Sequence, residues 1–455
     1  MNSSENMILF VCMYLVLPLI YVMMRNLSKP KKNIILGVTL PYEARQEEAV
    51  QSICRAYRKH LTAVCIILTI VSLGAFIFEY SSVMMTYLMT WLLAAIIVPF
   101  ISYTIFHRRL KRLKREQGWF SGVAGKVMLD TKVSVQASRK LSAWLFMPPV
   151  IICLIPLLQE LFNKSDWEMG IVYSINTLLV IACYLFYLII YRQRAEIVDH
   201  DTSLSLALTQ VRRYNWGKTW MVISWATAFF NLGFWLFIWN NTGLLITTAL
   251  YTAIILFVAI NAEFSTRQAQ ERLSEHSGKD VYVDDDKYWI NGMFYYNPHD
   301  KHIMINARVG INTSINLASP VGKAVMALSV LCLLALPFFG LWMMSEEFTP
   351  LEITVTATSV EARHTATVYS ISLDDVRSAE LIETLPPALK VAGTGMDTLL
   401  KGRFRVEGPG ISSLCLNPQA APFILIRTAD RAYIFGTNEA AQTREVYDLL
   451  MARMR

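Results

Sequence analysis

LTAVCIILTIVSLGAFIFEYSSVMMTYLMTWLLAAIIVPFISYTIFHRRLKRLKRE, residues 61 to 116, sets the fold class. It holds two apolar runs, Leu61–Tyr80 and Val83–Phe106, each longer than the roughly 18 residues that mark a membrane-spanning helix. Ser81 and Ser82 separate them, and six Lys or Arg follow within the eight positions 108 to 115. Outward from this stretch the same composition recurs. The 455 residues are 54% hydrophobic and only 17% charged, against about 25% charge in a soluble domain. The further runs are Met7–Met24, Leu141–Phe162, Gly170–Tyr191, Thr219–Trp239, Gly243–Ile260 and Lys323–Met344. The chain therefore reads as an α-helical polytopic membrane bundle of about eight spans. Residues 1–260 hold seven spans, 261–322 a polar loop, 323–344 the eighth span and 345–455 a polar tail. MNSSENM lacks the Lys or Arg of a secretory n-region, and Arg25, Lys29, Lys31 and Lys32 follow the first run instead.

Positive charge predicts the orientation. The long loops carry 8, 10, 5 and, counting Lys323 at its edge, 7 Lys or Arg, while the short turns carry 0, 1 and 0. Loops rich in Lys and Arg stay in the cytoplasm. Long loops are thus expected inside, and both the N-terminus and the tail are expected to be extracytoplasmic. Trp216 and Trp220 near an inner boundary, and Trp167, Trp239 and Trp342 near outer ones, fit an interfacial aromatic belt. Five of the seven cysteines lie in spans and only Cys415 in the tail, so no disulfide framework is expected there.

At the inner surface, Val50, Ile53, Cys54, Tyr57 and Leu61 recur at helical spacing. They fit either an amphipathic helix lying on the membrane or an inward extension of the second span. Arg108, Arg109, Lys111, Arg112, Lys114 and Arg115 form a cluster of the kind that attracts anionic lipid headgroups; the other reading is a pure orientation signal. Asp199-His200-Asp201 has no nucleophile placed beside it and reads as a loop turn.

The loop contains DDDKYWINGMFYYNPHDKHIMI, residues 284 to 305. Asn291-Gly292, flanked by KYWI and MFYY, predicts a hairpin with positive φ at both central residues. Asn297-Pro298-His299-Asp300 supplies a second turn, and HIMINARV a third strand. The expectation is a three-stranded platform presenting Trp289, Phe294 and Tyr296 around Gly292, Tyr295, Asn297 and Pro298. A metal site is not expected, because adjacent carboxylates on a strand diverge and the calcium-loop and His-x-x-x-His spacings are absent. Asp285, Tyr288, Trp289, Gly292, Phe294 to Pro298, Asp300, Arg308, Gly310 and Ile311 follow a pattern that resembles an uncharacterised bacterial domain found just before a membrane span. NIILGVTLP (33–41) and RRLKRLKREQGW (108–119) are similar to motifs of bacterial immunity membrane proteins that protect cells from a sporulation-delaying toxin.

In the tail, LEITVTATSVEAR, TATVYSISLDDV, SAELIET, GRFRVEG, SSLCLN, PFILIRT and RAYIFGT read as short strands, followed by one helix from Glu439 to Met454. Leu385-Pro386, Gly393, Gly395, Gly402-Arg403-Phe404, Gly410 and Asn417-Pro418 make the last ninety or so residues resemble the bacterial pleckstrin-homology-like family. That resemblance implies an all-β barrel closed by a helix, and a fold rather than a function. Lys401, Arg403 and Arg405 alternate with Gly402, Phe404 and Val406, which puts three cations on one strand face as a ligand patch for an anion or as a solvated surface.

No catalytic motif is present: no Gly-x-Ser-x-Gly elbow, zinc-protease helix or phosphate-cradling loop. No charged residue falls near a span's middle, and Asn231 is the deepest strongly polar side chain. A sensory, regulatory or immunity protein is therefore expected, without enzyme activity, cofactor, metal or nucleic-acid partner. Its expected partners are anionic headgroups at the cytoplasmic face and a cytoplasmic protein. The alternative is a carrier for a peptide or lipid, with Pro99, Pro148, Pro149 and Pro156 opening a cavity.

Overall fold

The computed structural model describes residues 3–31, 33–41, 43–120, 141–163, 167–192, 202–237, 240–277, 284–309 and 313–454. Asp199-His200-Asp201, Gly310, Ile311 and Trp239 lie outside them. The helices are α1 (Ser3–Tyr14), α2 (Val16–Asn26), α3 (Glu48–Ser72), α4 (Ser81–Glu116), α5 (Met147–Asn163), α6 (Trp167–Arg192), α7 (Thr202–Leu236), α8 (Asn241–Ser277), α9 (Pro320–Phe348) and α10 (Ala440–Met454).

Among the described residues, seven stretches are long and apolar enough to cross a membrane: Leu9–Asn26, Glu48–Ile77, Ser81–Glu116, Ala143–Phe162, Met169–Tyr191, Ile246–Gln270 and Pro320–Phe348. This complement is compatible with a membrane protein and has one fewer member than the eight expected. The missing one, Thr219–Trp239, falls on α7, whose Thr219, Ser224, Thr227 and Asn231 are buried. Packed against α5, α6 and α8, α7 turns these polar groups toward protein rather than toward an apolar solvent, so its composition is less apolar than that of its neighbours. α8 continues helical to Ser277, well into the expected loop 261–322.

The chain divides into two compact units. One comprises Met1–Val16, Leu68–Ala95 and Leu331–Arg455; the other comprises Leu17–Ile67 and Ile96–Val330. α3, α4 and α9 each contribute residues to both.

In the first unit the tail forms strands β7 to β15. A three-stranded antiparallel sheet contains β7 (Glu352–Val355), β8 (Ser359–His364) and β9 (Thr367–Ser372). A six-stranded sheet runs β10 (Ser378–Ile382), β14 (Phe423–Arg427), β15 (Ala432–Phe435), β13 (Gly410–Leu416), β12 (Leu400–Val406) and β11 (Ala388–Gly395). Alternation along the strands divides two cores: Cys415, Ile424, Ile426 and Phe435 join one with β7–β9 and α10, and Leu414, Leu416, Phe423, Leu425 and Ile434 join the other. The expected closed barrel does not form. The edge strands β10 and β11 pair only with β14 and β12, and the chain linking them carries Pro386-Pro387, which offers no N–H donors. β11 itself escapes sequence reading, because ALKVAGTG has no clear alternation.

In the second unit, Asn231 holds helices together. Its Oδ1 accepts from Asn176 Nδ2 at 2.8 Å and its Nδ2 donates to the Cys153 carbonyl at 3.3 Å, joining α7 to α6 and α5. α3 is one continuous helix with Val50, Cys54, Tyr57 and Leu61 buried, so of the two readings for residues 45–61 the extension of a span is observed. Three two-stranded ladders complete the unit: β1 (Ile34–Ile35) with β2 (Val38–Thr39), β3 (Trp289–Ile290) with β4 (Phe294–Tyr295), and β5 (Met304–Asn306) with β6 (Thr313–Ile315).

Candidate functional site

The hairpin at Asn291-Gly292 forms as expected, with φ of +49° and +70°. The platform is not a single three-stranded sheet. β5 pairs with β6, and one bridge from Tyr295 to Asn316 connects the two ladders. Asn316, 1% exposed, makes that connection chemical. Its Nδ2 donates to the carbonyls of Asn297 and Asp300, and its Oδ1 accepts from the Asn297 N–H. Trp289 and Tyr295 are buried inside rather than presented; Phe294, Tyr296 and Pro298 face outward, and Asn297 is fully enclosed.

The acidic triplet departs furthest from its sequence reading. Asp284 to Asp286 do not lie on a strand; a 3₁₀ turn over Asp286–Tyr288 folds them back, with the Asp286 N–H on Asp284 Oδ1 at 3.2 Å. The carboxylates therefore converge, and they converge on protein cations. Asp286 Oδ2 and Asp284 Oδ2 accept from Lys114 Nζ at 2.7 and 2.6 Å. Asp286 Oδ1 accepts from Arg308 Nη1 at 2.5 Å and from Thr39 Oγ1 at 2.7 Å. Arg308 also donates to Asp285 and, at 2.9 Å, to the Gly37 carbonyl, while its guanidinium lies 4.8 Å from the centre of the Trp289 ring. Lys31 Nζ adds bonds to Glu263 Oε1 and the Ala307 carbonyl at 3.2 and 3.1 Å. Three chain segments distant in sequence (the β1–β2 hairpin, the end of α4 and the 284–308 stretch) thus meet at one buried ion cluster.

Burial alone pushes the Asp286 carboxyl up, but Arg308 and then Lys114 outweigh it and leave it at about 2. For Arg308, burial works against the charge, and Asp285 and Asp286 reverse that, so its affinity for the proton is raised. Both stay ionised across the physiological range. The cluster is a fixed electrostatic lock rather than an acid–base pair.

Beneath it, Tyr103 and His107 of α4 stack at 5.8 Å and are covered by two glycine turns. Leu36-Gly37 has φ of +46° and +72°, the same left-handed pair as Asn291-Gly292. A Cβ on Gly37 would stand 2.1 Å from the Tyr103 hydroxyl, and one on Gly292 would stand 2.6 Å from His107 Cε1. His107 Nδ1 bonds the Leu36 carbonyl at 2.8 Å. Tyr103 and His107 have no signal in the sequence, and Gly37 and Thr39 lie in the NIILGVTLP run without a role of their own. The signal for the turn is Gly37, a glycine between Ile-Ile-Leu and Val-Thr.

No family model, curated protein or solved structure matches this chain.

Of the basic residues expected to touch lipid, Lys114 is instead withdrawn into the cluster at 3% exposure. Lys111 is half-buried, and Arg108, Arg109, Arg112 and Arg115 are exposed. The expected tail patch is graded in the same way. Lys401 is buried on Glu346, with His364 Nδ1 and Thr365 Oγ1 at 3.2 and 3.1 Å; Arg403 is half-buried and Arg405 exposed. Burial and the nearby Lys401 charge lower the proton affinity of His364, whose Nε2 faces the Thr349 carbonyl at 3.2 Å. These contacts fasten the sheet to the end of α9. Glu347 Oε1 of α9 also accepts from the Thr398 N–H at 3.1 Å, and Asp397 Oδ2 accepts from the Ser81 N–H, the first residue of α4, at 2.7 Å.

Proposed function

We propose that this is a bacterial integral membrane protein of sensory, regulatory or immunity type. In this reading an extracytoplasmic β domain is coupled to the cytoplasmic hairpin platform. α7 serves as an eighth crossing, less apolar because it is enclosed by α5, α6 and α8. The supporting observation is the way α4 is held. Its first residue is capped by Asp397 of the β domain, and Lys114 near its last turn is locked between Asp284 and Asp286. Each compact unit thus holds its own part of α4, Ser81 in one and Lys114 in the other. The carrier reading gains less support, because the Asn231 amide is satisfied by Asn176 and Cys153 and acts as helix glue.

The test is genetic. Cells lacking the protein are challenged with membrane-active peptides, then complemented with wild type or with Lys114→Met, which cuts the inner attachment of α4. Restored survival or transcription with wild type and not with Lys114→Met supports the coupling. Unchanged survival and an unchanged transcriptome on deletion refute it.

A further inference from the structure

Beside the ion cluster, a pocket of about 310 Å³ is lined by Lys111, Arg115, Lys287 and Phe120, with Lys114, Asp284 and Asp286 as its floor. That volume is at the lower end of the roughly 300–1,000 Å³ typical of small-ligand sites. Its charge is not balanced. Asp284 and Asp286 are already engaged by Lys114, and Asp286 also by Arg308. Lys111, Arg115 and Lys287, by contrast, make no ion pair among the described residues, although Lys287 lies 4.8 Å from the Tyr288 ring. Three cations without an ion pair among the described residues, Lys111 feeling the Asp286 charge at longer range, therefore face one cavity from two separate chain segments, with a 63% exposed aromatic ring, Phe120, at its wall. Carboxylates tied up in this way have no free oxygen set for a metal ion, and three convergent ammonium and guanidinium groups call for a compact polyanion.

We infer that this pocket binds a phosphate-bearing anion, and that its natural source is the headgroup of an anionic lipid, with Phe120 against the acyl region. Basic pockets at the ends of membrane helices take headgroups by this chemistry. The site differs from a diffuse basic surface in recruiting Lys287 from the platform, and it leaves out Arg108, Arg109 and Arg112. It does not depend on the direction of signalling proposed above. An occupant would bridge α4 and the platform beside the Lys114 lock, so lipid composition would bear on how firmly the two are joined.

The test uses full-length protein in phosphatidylcholine nanodiscs with and without phosphatidylglycerol, read by native mass spectrometry for retained lipid and by thermal melting with added inorganic phosphate. The expected result is selective retention of phosphatidylglycerol, reduced roughly ten-fold or more in K111A/R115A/K287A and less than about two-fold in R108A/R109A/R112A. A phosphate-dependent rise in melting temperature that is lost in K111A/R115A/K287A, without lipid selectivity, would support the same site with a soluble ligand. Equal losses in both triple variants, or neither lipid selectivity nor a phosphate effect in wild type, would overturn the site. If the triple variant does not fold, Lys287→Gln, which changes one exposed side chain without an ion pair among the described residues, should still weaken retention by about three-fold, and no change would overturn the assignment.

Discussion

Asp286→Asn preserves the size and shape of the side chain that joins Lys114, Arg308 and Thr39, and removes only its charge. Two routes give the magnitude. The carboxyl is held at about 2 against an ordinary 3.8, and a shift of this size corresponds to about 2–3 kcal/mol of stabilisation of the charged form. Removing one partner of a buried pair typically costs about 3–5 kcal/mol, because the remaining charges are left desolvated. Lys114 keeps Asp284 and Arg308 keeps Asp285, so the lower figure applies, about 2–3 kcal/mol. In nanodiscs this should lower the melting temperature of the unit that holds the cluster by roughly 3–5 °C. The sign with pH follows from the direction of the shift. The group is depressed on folding, so its contribution is complete above the ordinary 3.8 and is lost as pH falls toward about 2. Wild type should therefore lose its advantage over Asp286→Asn across that acidic window and keep it at neutral pH. The double variant with Lys114→Met should be less destabilised than the two single changes added together. A melting temperature within about 1 °C of wild type at neutral pH would refute the account of the cluster as a structural lock.

Other predictions follow from single contacts. Gly37→Ala should destabilise by more than the roughly 1 kcal/mol cost of its left-handed backbone, and Tyr103→Phe in the same chain should recover part of the loss by removing the hydroxyl that a Cβ would strike; thermal melts of the three variants decide it. Asp397→Ala removes the cap on the first residue of α4 and should cost about 1 kcal/mol, with faster amide hydrogen exchange over the first turn. Asn231→Leu should cost about 0.6–1.7 kcal/mol and should be non-additive with Asn176→Leu in a double-mutant cycle. His364 is depressed on folding, so its contribution to stability is present above its ordinary 6.5 and lost on acidification below it; His364→Gln should flatten that part of a melting-temperature profile.

Local chemistry was legible in the sequence, and non-local pairing was not. Asn291-Gly292 announces its turn because both positions need positive φ, whatever surrounds them. Strands such as PFILIRT and RAYIFGT are visible as apolar runs, and the structure places them at β14 and β15. That β15 then runs parallel to β13, and that the sheet stays open between β10 and β11, depends on partners far along the chain. The acidic triplet shows the same limit from the other side. Alternation along a strand would separate its carboxylates, and the turn that gathers them is favoured by Lys114 and Arg308, which lie 172 and 22 positions from Asp286. By sequence Lys114 belongs to a cluster read as a lipid contact or orientation signal, and Lys401 to a strand face read as an anion patch or a solvated surface; a carboxylate from another segment engages each of them. The α7 helix is the mirror case: its buried polar residues face neighbouring helices and lower its apolar character.

We propose that the β domain is extracytoplasmic and the hairpin platform cytoplasmic. Single reporters at the exposed positions Asp430→Cys and Tyr296→Cys, in a chain whose exposed native thiols Cys12 and Cys332 are replaced by Ser, test it most directly in intact cells. An impermeant maleimide should modify position 430 and reach position 296 only after the cells are opened. Labelling of both from outside, or of position 296 alone, would contradict the account.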